Sequence, residues 1–214
     1  FLRGQRVLVT GAGGSVGTEL GRQALGYDPA ELALLDQAEN GLYFVHAELA
    51  AARPGAVLHA VIADVKDEAG VELAFRRFRP TVVLHAAAHK HVPLLEANPR
   101  EAVLNNVLGT RILVDAAERH GVGEFVLIST DKAVNPASVM GASKRVCEMV
   151  LQASLPLTFR VTLGPMQLTS QVFHSPGGWC SSGTGLVFLE VSNRPTSFWE
   201  RLIWLLPRMK KPLL

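Results

Sequence analysis

Four consecutive polar side chains, Ser129, Thr130, Asp131 and Lys132, follow an apolar run and could carry out acid–base chemistry. The two hydroxyl groups could hold a substrate oxygen. Asp131 could donate a proton if burial raises its pKa, and Lys132 could accept one if its surroundings lower its pKa. Neighbouring side chains of an extended strand point to opposite faces, so both groups share one pocket only if the chain turns there. A solvent-exposed Asp–Lys ion pair is the alternative.

A second pair, Met140 and Lys144, lies four residues apart on a predicted helix, and the two side chains therefore share one of its faces. A thioether has no proton to exchange and accepts hydrogen bonds only weakly, so Met140 cannot act as a base. Two explanations remain open. Either the chain only binds its ligand, or Lys144, Lys132 or a bound water handles the proton at this position.

The sequence TGAGGSVG of residues 10–17 joins a predicted strand to a predicted helix. Its G-x-x-G-x-x-G spacing permits a tight turn, close backbone approach to a diphosphate and close packing of helix on strand. The helix N-terminus behind the turn adds free amides and partial positive charge for phosphate. The strand before and the helix after indicate a dinucleotide site rather than an ordinary glycine turn. The candidate residues are Gly11, Gly13, Gly14, Ser15, Val16 and Gly17.

Asp36 ends the second predicted strand, where an acid can accept hydrogen bonds from the ribose hydroxyls of a dinucleotide. Its charge repels a 2′-phosphate and Gln37 adds no positive charge, which favours NAD over NADP as cofactor. Asp64 and Val65 close the third strand and could lie beside the adenine. The alternatives are a solvated loop carboxylate for Asp36 and a helix cap for Asp64.

Small residues follow the fourth predicted strand and would let the chain pass close to the cofactor, although small residues also suit helix packing. Ligands bind past the strand ends of open α/β sheets, so Lys90, with His91 beside it, is placed for a substrate's diphosphate or hydroxyl groups. The His-x-His pattern could suggest a metal, but no cysteine cluster or HExxH motif accompanies it, and we expect a solvated loop and no metal. The small residues are Ala86, Ala87 and Ala88.

Strands and helices alternate before residue 157, and the strands are continuous apolar runs, as expected when helices cover both faces of a parallel sheet. Right-handed crossovers then predict a Rossmann-type, doubly wound α/β fold. The predicted strands are 6–10, 32–35, 57–63, 81–85, 124–129 and 157–162. The predicted helices are 15–25 closed by Gly26, 39–52, a helix to 78 capped by Asp67, 99–120 capped by Asn98, and 139–153.

The chain has 214 residues, 48% of them hydrophobic, and a net charge of +2, which suits a globular domain and does not mark a nucleic-acid binder. The two cysteines have no metal-ligand spacing, so a reducing, cytoplasmic setting is expected. No run of residues is apolar enough to span a bilayer. Acidic residues become scarce after residue 156, and all three tryptophans follow. We therefore predict a nucleotide-binding domain over 1–156 and a divergent segment over 157–214.

Taken together, these motifs resemble the extended short-chain dehydrogenase/reductases, and among them the nucleotide-sugar 4,6-dehydratases of capsule, O-antigen and flagellin-glycan biosynthesis. The matching pieces are TGAGGSVG (10–17), LLDQAENGLY (34–43), HAAAHKHVPLLE (85–96), NNVLGT (105–110), STDKAVNP (129–136) and MGASKR (140–145). Most short-chain dehydrogenases have Tyr where this chain has Met140, but the large, membrane-attached members of this subgroup commonly carry methionine there. The opening FLRGQRVLVTGAGGSVG especially resembles the soluble domain of these large members, so the resemblance implies the cytoplasmic domain of a longer protein.

The resemblance implies a redox-neutral reaction on a UDP-sugar of the UDP-N-acetylglucosamine class, with NAD as the cofactor. A hydride leaves the sugar C4, water is lost across C5 and C6, and the hydride returns to C6. The resemblance also implies that the hydroxyl of Ser129 or Thr130 binds the sugar O4, that Asp131 protonates the departing C6 hydroxyl and that Lys132 takes the C5 proton. In most relatives the lysine that corresponds to Lys144 holds the nicotinamide ribose.

Three further expectations come from the resemblance. Asn106 braces the active-site helix or strand, although core hydrogen bonding would also explain it, and the protein forms a homo-oligomer. After about residue 159 the resemblance ends, so we expect a truncated or divergent substrate lobe. If that lobe is missing, the chain should bind NAD but turn over UDP-sugars poorly. The apolar stretch 198–206 is expected to pack on its own domain or a neighbouring subunit rather than on a membrane surface.

Two other functions stay open at this point. A UDP-sugar C4 epimerase shares the fold and the cofactor, but epimerisation needs no elimination acid, so the Asp131–Lys132 pair favours the dehydratase. A non-catalytic nucleotide-binding module is favoured by Met140 and by the unfamiliar C-terminal segment.

Overall fold

The computed structural model describes residues 2–154, 158–163 and 188–191 of the chain. Its strands are β1 (Arg6–Thr10), β2 (Glu31–Asp36), β3 (Leu58–Ile62), β4 (Val82–His85), β5 (Glu124–Ser129), β6 (Thr158–Leu163) and β7 (Phe188–Val191). Its α-helices are α1 (Ser15–Gly26), α2 (Glu39–Ala52), α3 (Glu68–Phe78), α4 (Val92–Ala97), α5 (Pro99–Glu101), α6 (Gly109–Arg119) and α7 (Val139–Ala153). A π-helical segment (Ala102–Leu108) joins α5 to α6, and a 3₁₀ turn (Asp131–Ala133) follows β5.

The strands form one sheet in the order β3-β2-β1-β4-β5-β6-β7. The strands β1 to β6 are parallel, and β7 pairs with β6 in the antiparallel direction. The strand order reverses between β1 and β4, so the connections that leave the carboxyl ends of these two strands run to opposite faces of the sheet. They leave a crevice between them, where open α/β sheets bind ligands. The predicted Rossmann-type fold is confirmed.

Alternate residues of the central strands face opposite layers of helices. Leu8 of β1 belongs to a cluster with Phe75 of α3 and Leu113 of α6. Its neighbours on β1 face a second cluster, which contains Leu42 and Leu49 of α2. Because both faces are covered, the strands have to be apolar at every position, which is why their sequences read as continuous hydrophobic runs.

Most predicted elements are confirmed, several of them to the residue. The strands 6–10 and 124–129 and the helices 39–52 and 139–153 begin and end where predicted. Asp67 caps α3, since its Oδ1 accepts a hydrogen bond from Ala69 N at 3.1 Å. The other strands and the first helix differ from the prediction by a residue or so at their ends, where hydrogen-bonding patterns change gradually.

The predicted helix 99–120 differs from the structure in its cap and in its middle. Asn98 does not cap it, because its side-chain amide donates to Leu94 O at 2.9 Å and so closes the preceding helix α4, which was not predicted. The middle of the predicted helix is the π-helical segment, which hydrophobic periodicity does not reveal. The antiparallel strand β7 was also not predicted, since its partner β6 is remote in sequence.

Within the described ranges, no helix is both long and apolar enough to cross a membrane. The predictions for residues 164–187 and 192–214, including the apolar stretch 198–206, lie outside the described residues.

Candidate functional site

The turn between β1 and α1 requires glycine at two positions. Gly11 has a φ of +70°, and a Cβ there would lie 2.5 Å from Ala87 N and 2.6 Å from Ala87 Cα. A Cβ at Gly17 would overlap the carbonyl oxygen of Gly11. Gly14 is different, because it is exposed and a Cβ there would approach only Gly11 O, at 3.3 Å. Gly11 and Gly17 therefore close the turn, and Gly14 leaves its outer face open to a ligand.

Asp36 ties the glycine turn to the next strand and helix. Its Oδ2 accepts a hydrogen bond from Gly13 N at 2.9 Å, and its Oδ1 accepts one from Ala38 N at 2.8 Å. A Cβ at Gly13 would lie 3.0 Å from the carbonyl carbon of Gly41, so α2 begins in direct backbone contact with the turn. Gly41 was not predicted as a site residue, because only the fold brings it to Gly13.

An open cleft lies above the carboxyl ends of β1, β2, β3 and β4. It brings together many of the predicted cofactor residues and several that were not predicted. The predicted ones are Gly11, Gly14, Asp36, Asp64, Val65, Ala86, Ala87 and Ala88, and the others are Leu35, Gln37, Ala63, His89 and Asn105. Ser15 and Val16 lie beside the cleft in the first turn of α1.

The loop after β3 is held by contacts of the Asp64 carboxylate and packs against a glycine of α6. Asp64 Oδ1 accepts from Lys66 N at 2.9 Å, and its Oδ2 pairs with Lys66 Nζ at 3.1 Å, so Asp64 is not the cap of α3. A Cβ at Gly109 would lie 2.7 Å from Val65 Cγ2. Because Gly109 has no side chain, the buried Val65 can pack against the start of α6 at the edge of the cleft.

A buried histidine, His85, links three elements beneath the cleft. Its Nδ1 lies 2.7 Å from Thr10 Oγ1 of β1, and its Nε2 lies 3.0 Å from Thr110 Oγ1 of α6. The Thr110 hydroxyl donates its proton to Asn106 O at 2.6 Å, so it accepts from Nε2–H, and Nδ1 accepts from Thr10. Burial, with a contribution from the charge of Lys144, lowers the pKa of His85 to about 3, so the ring is neutral.

Asn106 connects the π-helical segment to the loop after β4 and to α7. Its Oδ1 accepts from His89 N at 2.8 Å, and its Nδ2 donates to His89 O and to Ser143 Oγ, each at 3.0 Å. Its own carbonyl oxygen accepts from Thr110 and from the thiol of Cys147 at 3.1 Å. These contacts join the loop after β4 to α7, and both the bracing role and simple core hydrogen bonding predict them.

The side chain of Lys90 contacts the end of the glycine turn. Its Nζ donates to Ser15 Oγ at 3.2 Å, across the mouth of the cleft at the N-terminus of α1. His91 is exposed and precedes the first residue of α4. No group of three or more His, Cys, Asp or Glu side chains in the described residues is arranged to hold a metal ion.

After β5 the chain turns, as a shared pocket for Asp131 and Lys132 requires. Thr130 caps the 3₁₀ turn and donates its hydroxyl proton to Asp131 Oδ1 at 2.9 Å, and Lys132 Nζ lies 3.4 Å from the same oxygen. Burial raises the pKa of Asp131, but the Thr130 hydrogen bond and the charge and hydrogen bonds of Lys132 outweigh it. The pKa of Asp131 is therefore lowered overall, so the condition under which Asp131 could donate a proton, a pKa raised by burial, is not met in this structure.

The 3₁₀ turn rests directly on α7. A Cβ at Gly141 would overlap the carbonyl oxygen of Lys132, so only glycine allows the helix to approach this closely. Ser138 caps α7 by accepting from Gly141 N at 3.1 Å. On the other side, Glu96 of α4 accepts from Val139 N at 2.7 Å. The first turn of α7 is thus fixed between the two loops that carry polar candidate residues.

Ser129 points away from the turn, toward the buried side of α7. Its Oγ donates to Glu148 Oε1 at 2.6 Å, and Glu148 Oε2 accepts from Arg145 Nη1 at 2.9 Å. Of the two hydroxyls, the one free of this helix contact is that of Thr130. The sequence analysis did not single out Glu148, although an acid four residues after Lys144 on a helix shares its face.

Met140 and Lys144 are both buried on α7 but lie in different surroundings. Met140 packs in an apolar cluster with Leu95 of α4 and Ala102 of the π-helical segment. Lys144 is only 6% exposed, and Cys147 and Glu148 lie on the same buried face of the helix. Burial lowers the pKa of Lys144, and the nearby Cys147 and Glu148 oppose this effect.

The sequence profile of a family described as "Polysaccharide biosynthesis protein" matches residues 7–160. The chain belongs to this family. It is 48% identical over 153 residues to the "Capsular polysaccharide biosynthesis protein CapD" of Staphylococcus aureus, covering 71% of this chain and 26% of CapD. It is 32% identical over 155 residues to a "UDP-N-acetylglucosamine 4,6-dehydratase (inverting)" of Campylobacter jejuni, covering 72% of this chain and 45% of the relative.

Among solved structures, this member of the polysaccharide biosynthesis family resembles a UDP-glucose 4-epimerase of Thermus thermophilus in complex with NAD. The TM-score is 0.60 at 31% identity, and the match covers 72% of this chain and 52% of the epimerase. The chain spans about a quarter to a half of the length of these relatives. The residues 7–160 that carry the family match include the glycine turn, the cleft and the start of α7.

Proposed function

We propose that the chain is the dinucleotide-binding part of an NAD-dependent nucleotide-sugar 4,6-dehydratase that acts on a UDP-sugar of the UDP-N-acetylglucosamine class. The observation that carries this proposal is the pair of Asp131 and Lys132 on one turn at the carboxyl end of β5, 3.4 Å apart and pressed against α7. An elimination of water needs an acid for the leaving hydroxyl group and a base for the departing proton, and this turn offers both.

The cleft fits the diphosphate and adenosine half of a dinucleotide. Gly14 leaves its outer face open at the N-terminus of α1, where free amides and the helix dipole favour phosphate. Lys90 adds a positive charge beside Ser15 at this point, so we assign it to the cofactor's diphosphate rather than to the substrate. The backbone amides of Gly13 and Ala38 fix the carboxylate of Asp36, which retains lone pairs for two ribose hydroxyls.

The carboxylate of Asp36 also supports NAD over NADP. A 2′-phosphate would stand beside a negative charge that two backbone amides hold in place, and Gln37, the next residue on the cleft wall, carries no positive charge. Bound in this cleft, the nicotinamide ring would accept a hydride from the sugar C4 and return it to C6.

Asp131 and Lys132 together hold the one proton that the elimination requires. At neutral pH Asp131 is a carboxylate, because its pKa is lowered. Exclusion of water by a bound sugar would favour the uncharged pair, in which Lys132 Nζ has passed a proton to Asp131 Oδ1. Asp131 then protonates the departing C6 hydroxyl, and Lys132 removes the C5 proton, so the pair regains its original charges.

The remaining predicted residues take supporting roles. The Thr130 hydroxyl is the better candidate to bind the sugar O4, since Ser129 is engaged by Glu148. Lys144 would hold the nicotinamide ribose from α7. Met140 would act through packing only, since its side chain lies among apolar neighbours.

A UDP-sugar 4-epimerase is the second candidate, because the Thermus thermophilus structure with the same fold has that name. Epimerisation requires hydride removal and return at C4 but no acid for a leaving hydroxyl. The Asp131–Lys132 pair would then have no task, which is why we favour the dehydratase. A non-catalytic nucleotide-binding module is the third possibility.

The test is to incubate the chain with UDP-N-acetylglucosamine and NAD and to follow the sugar by NMR. The dehydratase predicts a new 6-methyl signal, and an epimerase predicts an altered C4 configuration without that signal. Asp131→Asn and Lys132→Met should each lower the rate by about 10²- to 10⁴-fold, the usual contribution of a general acid or base. NAD binding without any change in the sugar would support the module and contradict the dehydratase.

A further inference from the structure

Glu148 is a buried carboxylate for which the proposed reaction has no direct use. It is 2% exposed, yet it lies on α7 in a protein whose other acidic side chains are mostly at the surface. Its Oε1 accepts from Ser129 Oγ at 2.6 Å, and its Oε2 accepts from Arg145 Nη1 at 2.9 Å. Burying a carboxylate is costly unless it is paired, so both contacts are needed to keep it there.

The contact to Ser129 anchors the strand that carries the candidate acid and base. Ser129 is the last residue of β5, and Thr130, Asp131 and Lys132 follow it directly. On the other side, Gly141 lets α7 touch the carbonyl group of Lys132. The turn is therefore fixed to α7 at two points, by Glu148 through Ser129 and by Gly141 through Lys132.

The second relation of Glu148 is to Lys144, one helical turn earlier on the same buried face. Side chains four residues apart on a helix are neighbours, and both are nearly inaccessible to solvent. A buried ammonium is costly unless a negative charge lies nearby to compensate it. Glu148 is the buried carboxylate on that face of α7.

We propose that Glu148 is a positioning residue of the site, which holds the end of β5 through Ser129 and supplies the negative charge beside Lys144 that keeps this lysine cationic. The role rests on the proposed function and deepens it, because a cationic Lys144 is the form that can donate to a nicotinamide ribose.

Other groups around Lys144 do not supply that charge. The buried faces of α6, β5 and the π-helical segment carry no titratable side chain. Cys147 stays a neutral thiol near pH 7, because burial raises its pKa, and His85 is neutral. On α4, the 3₁₀ turn and α7 itself the other charged groups are Glu96, the mutually paired Asp131 and Lys132, and Arg145, and their side chains are exposed. The charged groups of α6 and β5 lie off the buried faces of these elements and are Arg111, Asp115, Glu118, Arg119 and Glu124.

The experiment measures the titration of Lys144 by NMR of the chain labelled with ¹³C at the lysine side chains, with Lys144→Arg used to assign its signal. Glu148→Gln keeps the length of the side chain and an acceptor for Ser129 but removes the charge. We expect a lower pKa for Lys144 in this variant than in the wild type. Glu148→Asp, which keeps the charge, should restore part of the difference, and Glu118→Gln on the exposed face of α6 should change nothing.

Two further variants distinguish the effect of the Glu148 charge from the effects of Ser129 and Cys147. Ser129→Ala removes the hydroxyl and keeps the carboxylate, so the titration of Lys144 should stay at the wild-type pH. Cys147→Ser should also leave it in place. Equal titration of Lys144 in the wild type and in Glu148→Gln, or a downward shift with Cys147→Ser alone, would overturn the proposal.

Measuring the NAD affinity at several pH values tests how Glu148 affects cofactor binding. Above the pKa of a lysine, each unit by which that pKa falls reduces the cationic fraction about tenfold, so Glu148→Gln should lose NAD affinity at lower pH than the wild type. If the wild type binds no NAD, the proposed function fails, and the NMR titration still decides the role of Glu148. Thermal unfolding of each variant checks that it is folded.

Discussion

At the scale of single residues, the position of Met140 is the one where the chain departs most from ordinary short-chain dehydrogenase chemistry. Its side chain is 5% exposed and joins α7 to α4 and the π-helical segment through apolar contacts with Leu95 and Ala102. A packing role predicts that truncation affects stability and not proton transfer.

Met140→Ala should lower the free energy of unfolding by about 2–4 kcal/mol, because it removes a buried side chain and leaves a cavity. Met140→Leu, which conserves volume, should cost less than about 1.5 kcal/mol. The matched control is Met149→Ala on the same helix, where the side chain is 54% exposed and the cost should stay within about 0.5 kcal/mol. Chemical denaturation measures all three. Equal losses for Met140→Ala and Met149→Ala would contradict the packing role.

Asp36 is the second residue whose contacts lead to a quantitative expectation. Asp36→Asn leaves one acceptor oxygen where two backbone amides and two ribose hydroxyls require several. Hydrogen bonds to charged groups contribute about 1.5–3 kcal/mol, so NAD should bind about 10- to 100-fold more weakly. NADP should lose less, because the repulsion from the carboxylate is relieved. Calorimetric titration measures both affinities. Asp67→Asn, a capping residue outside the cleft, is the control, and an equal loss there would count against the assignment.

At the scale of elements, the helices and strands are linked by buried polar contacts as well as by apolar packing. His85 holds the end of β1 and the start of α6 through Thr10 and Thr110. Its pKa falls from the ordinary value of 6.5 to about 3 because it is buried. Between these values the unfolded chain binds the proton and the folded one does not, so this histidine reduces stability as the pH falls.

The slope expected from His85 alone is about 1.4 kcal/mol per pH unit between about pH 6.5 and the folded pKa. His85→Gln should be less stable than the wild type at about pH 8, where the hydrogen-bond network is intact. The difference should shrink steadily as the pH is lowered from about 6.5, since glutamine takes up no proton. His91→Gln, with an exposed side chain, controls for the loss of a histidine. A pH-independent difference between His85→Gln and the wild type would contradict the buried neutral ring.

Gly141 sets how closely α7 approaches the 3₁₀ turn of Asp131 and Lys132. Gly141→Ala should push the carbonyl group of Lys132 away and lower the dehydration rate, while NAD affinity changes little because the cleft lies at β1 to β4. Gly26→Ala is the matched control, since a Cβ there meets nothing within 4 Å. The sugar NMR assay and NAD titration measure the two effects. An unchanged rate in Gly141→Ala would show that the close contact does not matter.

The elements were largely predictable because apolar periodicity and turn residues are local properties. Contacts that depend on the fold were not. Gly41 meets Gly13 only when α2 packs beside the turn, and Glu148 meets Ser129 only when α7 crosses the end of β5. The residues around Asn98 are typical of a helix N-terminus, which predicted a cap. The side chain of Asn98 instead donates to the backbone carbonyl of Leu94 in α4.

The direction of the pKa shift of Asp131 could likewise not be predicted from the sequence. The sequence shows that Thr130 and Lys132 are its neighbours along the chain. It does not show that the 3₁₀ turn orients both of them toward the carboxylate, and that orientation lowers the pKa.

At the scale of the whole molecule, the doubly wound sheet accounts for where the candidate residues gather. Gly11, Asp36, Asp64 and Ala86 lie at the carboxyl ends of four different strands, which all face the same edge of the sheet. The order of strands β3-β2-β1-β4 follows from right-handed crossovers, which is why the cleft could be anticipated before the side-chain contacts were known.

The proposed catalytic turn lies beside that cleft, after β5, on the next strand along the sheet. Loops at the ends of β4 and β5 therefore lie on either side of the space where a nicotinamide ring and a sugar would meet. The chain spans 26% of the Staphylococcus aureus protein and 45% of the Campylobacter jejuni dehydratase. Dinucleotide binding, which needs only the described cleft, is therefore the central claim, and the formation of a homo-oligomer stays a prediction.

Calorimetric titration of the purified wild-type chain with NAD tests this claim most directly. We predict saturable one-site binding that is tighter for NAD than for NADP, together with stabilisation by about 2.7 kcal/mol at about 100 times the dissociation constant. Absence of binding heat and of thermal stabilisation with both dinucleotides would contradict the account.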